Sequence, residues 1–163
     1  MEIKLNTDNL TEQERDTLLG LVEKANKQKV WKPKKDERCW YVNVGGTAHH
    51  FDFAENHAHR KNMIAIGNCF RTREEAEFAV EKLKVIAELR RFAEEHNEPI
   101  DWKNIHEAKH YLIYYCSGDE VTSDFWGDVR YPSMSFSSRE IAQSAIDTIG
   151  VDRLKKYYFE VEE

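Results

Sequence analysis

Residues 67–92 read GNCFRTREEAEFAVEKLKVIAELRRF, and the architecture follows from them. Thr72 and Glu75 stand three apart ahead of an apolar periodicity, the capping-box pattern in which a hydroxyl and a carboxylate each take up an orphan backbone amide. Nothing breaks the helix they open until Asn97 and Pro99, so over 72–96 it would reach about 37 Å. One apolar stripe contains Ala76, Ala79, Val80, Leu83 and Ile86, and a second, bulkier one contains Phe78, Val85, Leu89 and Phe92. Two stripes need two packing partners. The first is expected against the helix's own sheet, the second either under an N-terminal helix or at a homodimer contact.

The junction is repeated. Residues 133–150, SMSFSSREIAQSAIDTIG, align without a gap: Phe70, Thr72, Arg73, Glu74, Ala76, Ala79, Val80, Glu81 and Leu83 fall opposite Phe136, Ser138, Arg139, Glu140, Ala142, Ala145, Ile146, Asp147 and Ile149. Upstream, the aromatic run Trp40, Tyr41 and Val42 to Val44, closed by Gly45-Gly46, is matched by HYLIYYC at 110–116. Each unit reads as strand, variable loop, strand, helix, with MIAIGNCF at 63–70 as the second strand of the first unit. An isolated ββα unit buries little, so the two should share a core. The fold class is α+β: an N-terminal helical segment (1–30), then pseudo-repeated ββα units at 31–98 and 99–163 with antiparallel strands and a long central helix.

At the N-terminus, Ile3–Leu5 reads as a short strand. Thr11 with Glu14 caps a helix over 11–27 that carries Leu18, Leu19, Val22 and Ala25. After Gly150, VDRLKKYYF reads as a separate short helix.

With 40% hydrophobic and 33% charged residues, the chain can fill a core beneath a heavily charged surface. Its net charge of −6 opposes generic binding to nucleic-acid backbones or anionic membranes. Cys39, Cys69 and Cys116 are scattered and odd in number, which suits a reducing cytoplasm. Neither a signal peptide nor an apolar run long enough to span a bilayer is read, so a soluble cytoplasmic protein is expected.

The W-K-P-K turn at 31–34, GNCFRTREEAEFA at 67–79 and IGVDRLKKYYF at 149–159 resemble accessory proteins of phages and prophages of Gram-positive bacteria. The resemblance implies expression in the cytoplasm of a bacterial host cell and an interaction with a host or anti-phage defence component. It carries no assigned site residue.

Four places hold candidate chemistry. The stretch HHFDFAENHAHR (49–60) offers His49, His50, His57, His59, Asp52 and Glu55 as metal-ligand types, but the spacing fits no strong pattern and the second unit has no counterpart, so no metal and no cofactor is expected. A strand following this loop would also argue against a histidine-metal nuclease, which needs a helix there. Asn68, Arg71 and Thr72 in one unit, and Ser138 and Arg139 in the other, form helix N-termini that offer weak anion sites, with simple capping the blander reading. Trp40, Tyr41, Tyr111, Tyr114 and Tyr115 near Lys34, Lys35 and Arg38 could stack nucleic-acid bases, if the strands left a face open. Finally, loops at 45–62 and 117–130 carry Phe51, Phe53, His57, His59, Arg60, Phe125, Trp126 and Arg130 as interface anchors for a partner protein or a small nucleotide. A non-enzymatic binding protein is the expected function, with a nucleic-acid-binding module and a metal-dependent hydrolase as alternatives.

Overall fold

The computed structural model describes residues 7, 9–26, 31–131 and 133–161. The chain divides into two compact units, Met1–Lys34 and Lys35–Glu163. The first contains α1 (Glu12–Asn26). Its capping box is formed: Thr11 N–H donates to Glu14 Oε2 at 2.8 Å and Glu14 N–H to Thr11 Oγ1 at 3.4 Å. The strand expected at Ile3–Leu5 lies outside the described residues.

The second unit is mixed α and β, with two antiparallel sheets. In order along the chain it has β1 (Arg38–Val42), β2 (Ala48–Asp52), α2 (Ala58–Ala65), α3 (Arg73–His96), β3 (Lys109–Tyr115), β4 (Glu120–Trp126), β5 (Ser135–Phe136), α4 (Arg139–Ile149) and α5 (Val151–Arg153), which runs into a π-helix at Leu154–Tyr158. One sheet is the β1–β2 hairpin and the other has the order β4–β3–β5.

The repeat survives where it matters for the helix starts. Phe70 makes an isolated antiparallel bridge to Trp40, and Phe136 pairs with His110 in β3. In both halves the phenylalanine returns to the first strand of its hairpin two residues before a capped helix. Thr72 accepts from Glu75 N–H in a complete capping box, and Ser138 accepts from Ile141 N–H. The halves then diverge: α3 has 24 residues, whereas α4 has 11 and stops at Gly150, whose φ of 94° is costly for any residue with a Cβ.

Several expectations are corrected. Within MIAIGNCF, residues 63–65 are the last turn of α2 and only Phe70 pairs as a strand residue. Met63 is buried, and the amides of Ile66 and Gly67 donate to Asn62 and Ile64 carbonyls, so the apolar run closes a helix. The partner strands are β2 and β4, which lie inside the segments expected to be loops at 45–62 and 117–130. A helix therefore does follow the histidine segment, and the order of elements no longer argues against a histidine-metal site. Val44 leaves β1 and stands fully exposed in the hairpin turn, where Asn43 Oδ1 accepts from Gly45 and Thr47 amides at 2.9 and 3.0 Å.

A further correction divides the α3 stripes differently. Val85, Leu89 and Phe92 are buried in one cluster with Leu112, Val121, Phe136, Ala142, Ala145, Ile146, Ile149 and Leu154. Phe78 is half-buried, its ring 5.2 Å from that of Tyr157. Val85, Leu89 and Phe92, expected either under an N-terminal helix or at a homodimer contact, are thus core of the unit Lys35–Glu163, and that basis for a dimer falls. Ala76 and Val80 are buried in the half of α3 that packs on β1 and β2. The length of α3 follows from this division: one part packs on the hairpin sheet and the rest on α4 and the π-helix, while α4 packs on the three-stranded sheet. Among the described residues no helix is long and apolar enough to cross a membrane.

Candidate functional site

The outer stripe of α3 forms the floor of an open cleft of about 1810 Å³. Phe78, Ala79, Lys82, Leu83 and Ile86 line it at helical spacing. One wall is the end of β1 with the turn after α2: Val42, Asn43, Ile66, Gly67 and Asn68. The other is Tyr114 and Asp119 of the second hairpin with Asp152, Lys155, Lys156 and Glu160 of the C-terminal segment. Two large apolar side chains stand out into it, Ile66 at 76% and Leu83 at 57% exposure. Each would gain on the order of 1 kcal/mol or more if covered.

The walls are rigidly made. Asn68 spends its amide on the backbone of β1, accepting from Val42 N–H and donating to Val42 carbonyl, both at 2.8 Å. Gly67, at φ 74°, turns the chain there. On the opposite wall Asp119 accepts from Tyr114 Oη at 2.8 Å and pairs with Lys155 Nζ at 2.8 Å. The Lys155 ammonium, and then the Tyr114 hydroxyl, hold the Asp119 carboxyl below its usual range, while the same contact pushes the Tyr114 hydroxyl up. Lys82 on the floor pairs with Glu160.

Two kinds of unusual backbone border this cleft. Asp119 (φ 51°) and Glu160 (φ 55°) sit in the left-handed region, two of the three described non-glycine residues that do. Such conformations cost of order 1 kcal/mol or more and persist where the surroundings impose them, often at functional sites. Lys155 and Lys156 lie on the π-helix, a geometry that is itself concentrated at functional sites.

Of the candidate site residues singled out from sequence, Asn68 and Tyr114 border the cleft. Phe51 is half-buried on β2 with the Arg60 guanidinium 5.1 Å above its ring, and Arg60 also donates to the Asp52 carbonyl. Phe53 is buried at 7% exposure, so it is a core residue and not a surface anchor. His57 and His59 are exposed at the start of α2. His49 and His50 are adjacent on β2, one ring beside Tyr41 and the other beside Trp40. Among the described residues no three or more His, Cys, Asp or Glu side chains converge as metal ligands would.

Phe125 and Trp126 are exposed at the end of β4, with Phe125 beside His110 at 5.7 Å. Arg130 lies over Trp102 at 4.6 Å in a second, shallower hollow that includes Arg90 and Tyr131. At the helix starts, the Thr72 and Ser138 hydroxyls and the Glu75 carboxylate are used as caps, and Arg71 N–H donates to Glu75. Arg139 is exposed. The strand aromatics are divided: Tyr111 is buried with its hydroxyl on the Val129 carbonyl at 2.9 Å, while Tyr115 is 49% exposed.

The Cys39 thiol donates to the Glu37 carbonyl at 3.9 Å, and the Trp40–Phe70 bridge brings the Cys69 thiol close to it. Burial, then the nearby Cys69 thiol, pushes the Cys39 thiol up to about 12. Cys116 is exposed.

Periodicity put Ala79, Leu83 and Ile86 of the cleft's floor on one apolar stripe with the buried Ala76 and Val80, and Phe78 of the same floor on the other. No protein-family model, curated protein or solved structure matches the chain.

Proposed function

We propose that the chain is a non-enzymatic binding protein of the phage-accessory kind, which engages a host or anti-phage defence protein through the cleft over α3. The observation that carries this reading is the exposure of Leu83 and Ile66 in one cleft, on elements otherwise fixed by buried packing and tight backbone hydrogen bonds. Exposed apolar side chains collected in a groove and rimmed by charges are the signature of a protein-binding surface.

A small nucleotide fits this cleft less well. Its volume of about 1810 Å³ exceeds the roughly 300–1,000 Å³ of small-molecule sites. Two of its three ammonium groups, on Lys82 and Lys155, are already paired with Glu160 and Asp119. Nucleic acid would meet the same paired cations and an acidic chain.

Tagged wild-type protein and the Leu83→Lys and Ile66→Lys variants, expressed in a Gram-positive host, test the reading. A host protein retained in stoichiometric amount by wild type, lost by both variants, and rebound by purified wild-type protein in calorimetry is the expected result. Retention of nucleic acid or nucleotide instead, or of the same proteins by all three forms, overturns it.

A further inference from the structure

We infer that the segment received by this cleft is an amphipathic α-helix whose apolar stripe is flanked by lysine or arginine; the inference rests on the protein-binding reading above. The floor is one face of α3, whose backbone groups are committed within the helix. A partner lying on it finds no backbone donors or acceptors, so it has to satisfy its own. A helix does so and an added strand does not. Phe78, Ala79, Leu83 and Ile86 form a ridge about 12 Å long, which matches two to three turns of a helix packed into the groove beside it.

Charge sets the partner's flanks. Five carboxylates line the cleft against three ammonium groups. With Lys82 bound to Glu160 and Lys155 to Asp119, Glu74 and Asp152 are the rim carboxylates outside both an ion pair and the capping box among the described residues. The start of α3 and the Thr72 hydroxyl also hold the Glu74 carboxylate, and Lys156 is the one lining ammonium outside these ion pairs, so five carboxylates against three ammonium groups leave the cleft with a net negative lining. A second copy of this chain, at net −6, has the wrong sign.

Two synthetic 14-residue peptides test this on the full chain. Both carry leucines at i, i+3, i+4 and i+7, one with lysine and one with glutamate at the remaining positions. Titration calorimetry should give the lysine peptide at least tenfold the affinity of the glutamate peptide. Leu83→Ser with Ile86→Ser, which leaves the net charge unchanged, should weaken it at least tenfold. Glu74→Gln with Asp152→Asn should shrink the preference between peptides several-fold and flatten its salt dependence. Circular dichroism checks that each variant is folded. Equal binding of the two peptides, or lysine-peptide binding indifferent to the Leu83/Ile86 pair, overturns the inference. A host protein captured through Leu83 and Ile66 but binding as an extended segment would also overturn it, and would leave the protein-binding reading standing.

Discussion

Arg153 closes a two-pronged ion pair on Glu88, with Nη1 2.8 Å from Oε2 and Nη2 3.0 Å from Oε1. The contact pins the segment that carries Lys155 and Lys156 onto the middle of α3, and so sets one wall of the cleft. Parallel N–H···O bonds of this kind depend on the planar guanidinium. Both side chains are about a third exposed, at 39% and 32%, which limits what the pair contributes.

A double-mutant cycle with Glu88→Gln and Arg153→Gln, read by urea denaturation, should give a coupling of about 0.5–1 kcal/mol. Arg153→Lys should lose most of it, since one prong goes. The arginine holds the Glu88 carboxyl below its usual value. The coupling is therefore present above the ordinary carboxylate range and should fade as pH falls through that lowered value.

His110 occupies in the second hairpin the position that Trp40 holds in the first, each paired with the phenylalanine before a capped helix. Burial lowers the His110 pKa, with Glu140 opposing. The folded protein then binds this proton less readily than the unfolded chain, so stability is held above about pH 6.5 and lost as pH falls below it. His110→Phe should remove that loss between pH 7 and 5 while leaving the fold intact by circular dichroism. An unchanged slope in the variant would assign the acid sensitivity elsewhere.

The parts of this fold that were legible are those where local chemistry and burial agree. Thr72 with Glu75, Ser138 before α4, and the aromatic and aliphatic run of β3 announce themselves in short windows. β2 and β4 did not, because AHHFD and EVTSDFW carry polar or charged residues at most positions and bury at most one side chain each. α2 was hidden for the opposite reason: Met63, Ile64 and Ile66 make an apolar run too short for periodicity to separate helix from strand. The cleft was hidden because a stripe on a helix says that something covers it, never which neighbour does.

The three cysteines should differ in reactivity in the order of their burial: Cys116 fastest, Cys69 slower, and Cys39 only on unfolding. Timed iodoacetamide labelling followed by peptide mass mapping reads this order directly. Because the folded Cys39 thiol is raised from 9.0 to about 12, the folded state keeps a proton that the unfolded chain gives up. Stability should therefore decline from about pH 9 upward, by at most about 1.4 kcal/mol per pH unit for this one group. Cys39→Ala, less stable at pH 7, should show a shallower alkaline decline.

Lys109 is 1% exposed, yet its ammonium is satisfied by two backbone carbonyls: it donates to Asn104, and to Gly127 at 3.2 Å. It therefore clasps the loop before β3 to the turn after β4. Gly127 completes the clasp by its lack of a side chain, since a Cβ there would lie 1.9 Å from the Ile105 carbonyl oxygen. Lys109→Met keeps the stem and removes the donors, which leaves two carbonyls short of a partner. The cost should be about 2 kcal/mol, or roughly 4–8 °C in Tm for a chain of this size. Gly127→Ala forces backbone apart and not just a flexible side chain, so it should cost at least as much. In combination the two changes should cost less than their sum, because both release the same loop. Additive losses in thermal unfolding would mean that Lys109 and Gly127 hold independent parts of the chain.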